Sequence, residues 1–208
     1  AISVTCPPAT QCPDQQPIRI RGLWVCPPTG NSNVCGTTDF VLSTTVKGTL
    51  SFDPENAGDG FTPVPSPPCA RGFLLVWAAD PNTRAIKFDG LIGTAILRVN
   101  AGTTAGYQAL PIQAVSTLPL GGLTDANNDG ALRFDGVTEY KALPRRLMGP
   151  LRFERSAAPR VDTWLTLLTL DFRINRPNLT TYLDLQFYNE IEVPISTSHY
   201  FTCWSEAR

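Results

Sequence analysis

The chain has 208 residues, of which 42% are hydrophobic and 17% charged, and its formal net charge is −1. That length supports one large β domain or two small ones with a substantial core. The near-zero charge gives no global field that would attract nucleic acid or an anionic membrane surface, and no apolar run approaches the roughly 18 residues of a membrane span. We therefore expect neither a nucleic-acid partner nor a transmembrane segment.

Nineteen prolines and sixteen glycines, set beside few charges, are typical of many short strands joined by ordered turns. Long helices are not expected. Short strand-like segments at regular spacing predict an all-β fold. We expect a disulfide-stapled antiparallel β-sandwich of jelly-roll type, with an extended N-terminal arm. A closed β-barrel is the alternative.

The predicted arm covers residues 1–17, which begin with alternating apolar residues and then become rich in proline and cysteine. Such a segment forms an edge strand of its own domain, or it is donated to the sheet of a neighbouring copy by β-augmentation. We predict a single β-sandwich domain over residues 18–208. The first residues lack the basic and apolar regions of a signal peptide, which we interpret as a processed N-terminus.

The cysteines form an even set without the C-x-x-C spacing of zinc ribbons and redox sites: Cys6, Cys12, Cys26, Cys35, Cys69 and Cys203. With only one histidine, a metal cluster is disfavoured, so we predict structural disulfides and a secreted, extracellular or cell-surface location. Cys26 and Cys35 are close enough to predict a local bridge. Complete pairing must then join Cys203 to an early cysteine, and Cys69 is one choice.

Several strands are predicted in the first half of the chain by apolar alternation or short apolar runs. They cover Ile18–Val25, Phe40–Phe52 as two strands or one strand bent at Gly48, Gly72–Ala79, Leu91–Val99 and Tyr107–Val115. The DPNT turn after Ala79 predicts a hairpin. Pro111 places its strand at a sheet edge or at a bulge, because proline cannot donate a ladder hydrogen bond.

The segment Asp125–Gly130 matches the pattern D-x-[DN]-x-[DN]-G and resembles the first half of the calcium loops of EF-hands and dockerins. The predicted structural Ca²⁺ would take oxygens from Asp125, Asn127 and Asp129 and from the carbonyl of Ala131. The twelfth position is Gly136 instead of the usual glutamate, and Asp135 is the substitute ligand. An Asx-rich turn without an ion is the alternative.

Residues 162–195 hold the densest run of leucine, aromatic and β-branched residues, and we predict that they form a central hairpin. Its second arm alternates, with Leu183, Leu185 and Phe187 on a buried face and Tyr182 and the other even-numbered residues on a wet face. The predicted turn, residues 175–178, includes Asn178 of an N-glycosylation sequon.

Catalytic constellations are weak in this sequence. His199 is the single histidine and no nucleophile elbow is present, so no catalytic residue is assigned. Asp184, Glu190 and Glu192 alternate on the wet face of the second arm, and a glycoside hydrolase is a second alternative on that basis. No cofactor is expected beyond the structural Ca²⁺.

Taken together, these features predict a secreted, non-catalytic structural protein. We expect a self-assembling extracellular subunit of a filament, appendage or surface layer, whose partners are other copies of itself joined by β-strand contacts. The first alternative is a calcium-dependent module that binds a glycan or another surface ligand through its tyrosine-rich face or its loops.

Overall fold

The structure is a computed structural model and describes residues 2–5, 18–29, 35–45, 48–54, 62–98, 104–127, 133–142, 165–169, 180–188, 191 and 193–207. These residues form strands and irregular segments but no helix, so the predicted all-β class is confirmed over them. None of them therefore forms a helix with the length and apolarity needed to cross a bilayer.

The strands are short, as the proline and glycine content predicts. In chain order they are β1 (Ile2–Thr5), β2 (Ile18–Cys26), β3 (Gly36–Thr44), β4 (Thr49–Phe52), β5 (Phe73–Ala79), β6 (Ile92–Arg98), β7 (Thr104–Gln108), β8 (Leu165–Leu168), β9 (Thr181–Tyr188), β10 (Pro194–Phe201) and β11 (Trp204–Ala207).

The chain divides into two compact units. The first contains residues 1–26 and 37–143, and the second contains residues 27–36 and 144–208. The predicted boundary at residue 17 falls inside the first unit, and the division into an arm and a single domain stays a prediction.

Two sheets make up the first unit. One has the order β3-β2-β5, with β2 and β5 antiparallel, and the other has the order β4-β1-β6-β7. Strand β1 pairs antiparallel with β4 on one side and with β6 on the other, so both of its edges are used within the chain. The expected edge strand of the arm is therefore wrong, because β1 is an inner strand of its sheet. Strand β7 lies at the edge of its sheet and ends at Gln108. The predicted strand Tyr107–Val115 is wrong beyond that residue, because Pro111 lies in the irregular segment that follows β7 and not in a strand.

Aromatic residues from both sheets share the core of the first unit. Alternation along β2 buries Ile18, Ile20 and Trp24 on one face. Across that core the ring of Phe52 in β4 meets Trp24 with centroids 6.3 Å apart and Phe40 of β3 with centroids 6.1 Å apart, both edge to face. Such edge-to-face contacts stabilise a core beyond the apolar area that they bury.

Gly22 is found inside β2 because of this packing. A Cβ atom at that position would collide with the ring of Phe40. Glycine weakens an isolated strand, but here it lets an aromatic ring approach the backbone closely. Gly22 interrupts the row of large apolar residues on the buried face of β2 because the ring of Phe40 occupies the space of its side chain, which the sequence alone does not show.

Two antiparallel pairs of strands make up the second unit. Strand β9 pairs with β10 from Thr181↔Phe201 to Tyr188↔Pro194, and β8 pairs with β11 from Leu165↔Ala207 to Leu168↔Trp204. All four sheets keep open edges among the described residues, so these strands do not form the closed barrel that was the alternative.

The predicted central hairpin is wrong, because its two arms pair elsewhere. Strand β9 turns back at once onto β10, and β8 pairs with β11 at the end of the chain. The predicted turn at residues 175–178 lies outside the described residues. Closing the short loop between β9 and β10 costs less chain entropy than closing a longer one, and apolar alternation gives no information about which strand is the partner.

The predicted local disulfide between Cys26 and Cys35 is also wrong. The choice that the sequence left open, Cys69 with Cys203, is not the one that the structure has. Cys26 is bonded to Cys69 with Cα atoms 5.9 Å apart, and Cys35 is bonded to Cys203 with Cα atoms 5.8 Å apart. Although Cys26 and Cys35 are near in sequence, they belong to different units, and each disulfide closes inside its own unit. Cys203 does pair with an early cysteine, as predicted; Cys6 and Cys12 lie outside the described residues.

Candidate functional site

Thr124 fixes the start of the predicted calcium loop in the first unit. Its side chain is buried, its amide donates to the carbonyl of Ala85 over 3.1 Å, and its hydroxyl lies 3.1 Å from the hydroxyl of Tyr140. The following residue, Asp125, is partly exposed. The calcium-loop pattern, which starts at Asp125, therefore follows a residue that is held in place by Ala85 and Tyr140.

Tyr140 lies next to the start of this loop, where its hydroxyl contacts that of Thr124. Its ring stacks on Phe134 with centroids 5.3 Å apart. Burial is the main reason that the pKa of Tyr140 is raised; the negative charges of Glu139 and Asp125 add to it, while the hydrogen bond with Thr124 opposes it. The phenol therefore stays protonated at neutral pH, and Tyr140 is an uncharged neighbour of Asp125.

The carboxylate of Asp135 is used by its own loop. One oxygen accepts the amides of Val137 and Thr138, both at 2.8 Å, and the other accepts the Thr138 hydroxyl at 2.6 Å. The hydrogen bond from that hydroxyl, followed by those from the two amides, lowers the pKa of Asp135 to about 2. Gly136 follows with φ of 79°, which favours glycine. Asp135 therefore forms an Asx turn with the two residues that follow Gly136.

The calcium site itself stays a prediction. Of its proposed ligands, Asp125, Asn127 and Asp135 are described, whereas Asp129 and Ala131 lie outside the described residues. Within the described part of the chain, no group of three or more acidic, histidine or cysteine side chains is gathered where it could hold an ion.

Glu139 is a buried acid that the sequence did not single out. Its side chain is 5% exposed, and both carboxylate oxygens accept hydrogen bonds from Arg133, one from Nη1 at 2.7 Å and one from the backbone amide at 2.9 Å. A buried carboxylate that is paired through both oxygens in this way holds the base of the loop together. The only sequence signal was the spacing of six residues between opposite charges.

His199 is placed beside a hydroxyl in the second unit. Its Nε2 lies 2.7 Å from Oγ of Ser205. A serine nucleophile also needs a group that orients the imidazole and donors for the oxyanion. In the described residues His199 has no third polar partner, and its ring instead stacks on Phe201 with centroids 6.2 Å apart. The pair links β10 to the start of β11.

The acidic strand of the glycosidase alternative is described in part. Asp184 is exposed on β9 and lies opposite Ser198. Glu190 and Glu192 lie outside the described residues, so the separation of the carboxylates, on which that mechanism depends, is not tested. The glycosylation candidate Asn178 also lies outside them.

The wet face predicted for the second arm is confirmed in β9. Its burial alternates, with Leu183, Leu185 and Phe187 half-buried and the even-numbered residues exposed. Register then adds a second strand to that face, because directly opposed residues of an antiparallel pair point the same way. We call this surface the tyrosine face; it consists of Tyr182, Asp184, Gln186, Tyr188, Pro194, Ser196, Ser198 and Tyr200.

Comparison with known proteins gives no further guide: no protein-family model matches the chain, and neither a curated protein nor a solved structure does.

Proposed function

We propose that the protein is a secreted, non-catalytic structural subunit that joins other copies of itself through strand β10. The observation that carries this is the strand itself. It is eight residues long, lies at the edge of its sheet among the described strands, contains no charged residue, and is exposed everywhere except at His199 and Phe201. Soluble proteins usually protect such edges with charges, bulges or covering segments. Among the described residues β10 has only Pro194, at its first position, as a protection of this kind, so the rest of the edge is suited to pairing with a strand of a second copy.

Aliphatic side chains beside this edge favour the same contact. Ile191, Val193 and Ile195 are 78%, 47% and 62% exposed. Pairing along β10 would remove these side chains from water together with the backbone groups of the edge. Apolar burial and ladder hydrogen bonds would then act at one interface.

The strand contact proposed here is β10 and not the N-terminal arm. Both edges of β1 are already hydrogen-bonded within the first unit. Donation of this strand would first require those two ladders to separate. Among the described residues no strand is paired with the outer edge of β10, so a contact there needs no such rearrangement.

The compartment and the finer fold belong to the same proposal. The two disulfides support export, because the cytosol keeps thiols reduced. The core shared by the two sheets of the first unit supports a β-sandwich in that unit, and the jelly-roll type is part of the proposal.

Light scattering after size-exclusion chromatography tests self-assembly. We expect the natural protein to form concentration-dependent oligomers, and we expect Ile195→Lys combined with Thr197→Lys to weaken the association at least about 100-fold, because a charge buried without a partner at an interface costs several kcal/mol. Val41→Lys is the matched control: Val41 is 43% exposed on β3, an edge strand that already carries Asp39. This control should associate as the natural protein does.

A natural protein that remains monomeric at every concentration accessible to light scattering would contradict the proposal. Equal weakening by the control and by the β10 variant would show that added charge, and not the edge, is responsible. A folded state common to all three proteins is checked by their far-UV circular dichroism.

A further inference from the structure

We propose that the tyrosine face binds neutral polysaccharides, an activity that does not depend on the proposed self-assembly. Its three tyrosines are strongly exposed, Tyr182 by 78%, Tyr200 by 71% and Tyr188 by 63%. Exposed aromatic rings that share one face of a sheet are a feature of ligand-binding surfaces.

The tyrosines are placed as two stacking positions on one ribbon. Tyr182 and Tyr200 are directly opposed, with ring centroids 6.2 Å apart and an interplanar angle of 42°. Tyr188 lies six residues further along β9, which is about 20 Å at the rise of a β-strand. A linear chain of several pyranose rings spans that distance.

Small polar groups fill the space between the two positions. Asp184 lies opposite Ser198, and Gln186 lies opposite Ser196. The Tyr188 hydroxyl donates to the side-chain oxygen of Gln186 over 3.2 Å, which orients both groups. Carboxylate, amide and hydroxyl groups together supply donors and acceptors for sugar hydroxyls, while the faces of the rings accept the C–H bonds of a pyranose.

The composition of the face selects this ligand over other polymers. A nucleic acid or an acidic polysaccharide needs cations, and the face has Asp184 and no lysine or arginine. A protein partner needs an apolar centre, but the exposed aliphatic residues of the ribbon, such as Ile195, lie off this face. Neutral sugars match both the tyrosines and the uncharged hydroxyls.

The platform is held in shape before any ligand arrives. Eight residue pairs keep β9 and β10 in register. The disulfide between Cys35 and Cys203 lies two residues beyond the end of β10. A preorganised surface avoids part of the ordering cost of binding, so modest stacking energies suffice.

Binding can be measured with the full chain by affinity electrophoresis through gels containing xylan, hydroxyethyl cellulose or laminarin, and by pull-down on cellulose and chitin. We expect retardation or capture by at least one of these probes. Tyr182→Ser combined with Tyr200→Ser should weaken that binding about 30-fold, because the two stacked rings contribute on the order of 1 kcal/mol each and about 1.4 kcal/mol corresponds to a factor of ten. Tyr182→Phe, which keeps the ring, should retain it.

Tyr107→Ser is the matched control, since Tyr107 is 57% exposed on β7 in the first unit. Chelator should leave binding unchanged, because the face contains no ion site. Failure of the natural protein to bind any of the five polysaccharides would overturn the inference, as would undiminished binding by the double serine variant. The Lys variants of β10 separate the two proposals, because Ile195 and Thr197 lie off the tyrosine face.

Discussion

Lys87 secures the loop that follows Ala114 through three backbone carbonyls. Its ammonium donates to the carbonyls of Val115 at 3.0 Å, Ser116 at 3.2 Å and Leu118 at 2.7 Å. A lysine satisfies three acceptors at once because its ammonium has three donors. No pattern in the sequence distinguishes this lysine from a solvent-exposed one, since its partners lie about thirty residues away along the chain.

Replacement of Lys87 by Met should lower the free energy of unfolding by about 2 kcal/mol, because charge-assisted hydrogen bonds are lost and the carbonyls keep only partial solvation. Lys141→Met is the control: Lys141 is exposed, and its ammonium donates to the side chain of Gln113 and, among the described residues, to no backbone carbonyl. It should change stability by less than about 0.5 kcal/mol. Urea denaturation measures both, and equal effects would show that the carbonyl contacts of Lys87 contribute nothing special.

The hydrogen bonds within its loop lower the pKa of the Asp135 carboxyl to about 2, and this pKa can be used to test those hydrogen bonds. A carboxyl group whose pKa is lowered on folding stabilises the protein above its ordinary value of 3.8, and that contribution is lost as the pH falls through about 2. Thr138→Val removes the largest cause, the hydroxyl hydrogen bond, so the pKa should rise toward 3.8.

Carboxyl-carbon NMR during an acid titration follows Asp135 directly. Thr37→Val, an exposed change on β3, should leave its pKa unchanged. An unchanged pKa in Thr138→Val would mean that the two backbone amides alone hold the charge.

Among the secondary-structure elements, strand positions were predicted better than strand partners. The segments assigned to β2, β5 and β6 follow the predicted ranges closely, and the alternation along β9 was predicted residue by residue. These features depend on local period and on turn residues, which the sequence carries directly. The range predicted as Phe40–Phe52 separates into β3 and β4, which lie in different sheets.

The tyrosine face illustrates the same limit at the level of a surface. The exposure of Tyr182, Asp184 and Tyr188 followed from alternation within one strand. The addition of Tyr200 required the register between β9 and β10, which alternation within one strand does not give. The residues of a surface that is formed by two strands can therefore be identified only when the register between those strands is known.

For the whole molecule, the disulfides connect distant parts of the chain within each unit. The Cys35–Cys203 bond spans 168 residues and the Cys26–Cys69 bond spans 43. In the chain-entropy description, their removal should cost roughly 5 and 4 kcal/mol, because the longer loop restricts the unfolded chain more.

Two double variants test this order, Cys35→Ser with Cys203→Ser and Cys26→Ser with Cys69→Ser. Denaturant unfolding should show the larger loss for the first. Peptide mapping without reduction should recover both bonds in the natural protein, and a peptide joining Cys26 to Cys35 would show that the described connectivity is incorrect.

The sequence by itself determined the all-β class, the expectation of disulfides, the positions of many strands and the wet face of β9, because each depends on composition or on contacts close in the chain. Only the tertiary structure decided which strands pair, which cysteines join, how the chain divides into two units, and that β10 brings Tyr200 beside Tyr182. Those features depend on contacts between distant residues, where several partners have similar local patterns and the packing of the whole chain selects one.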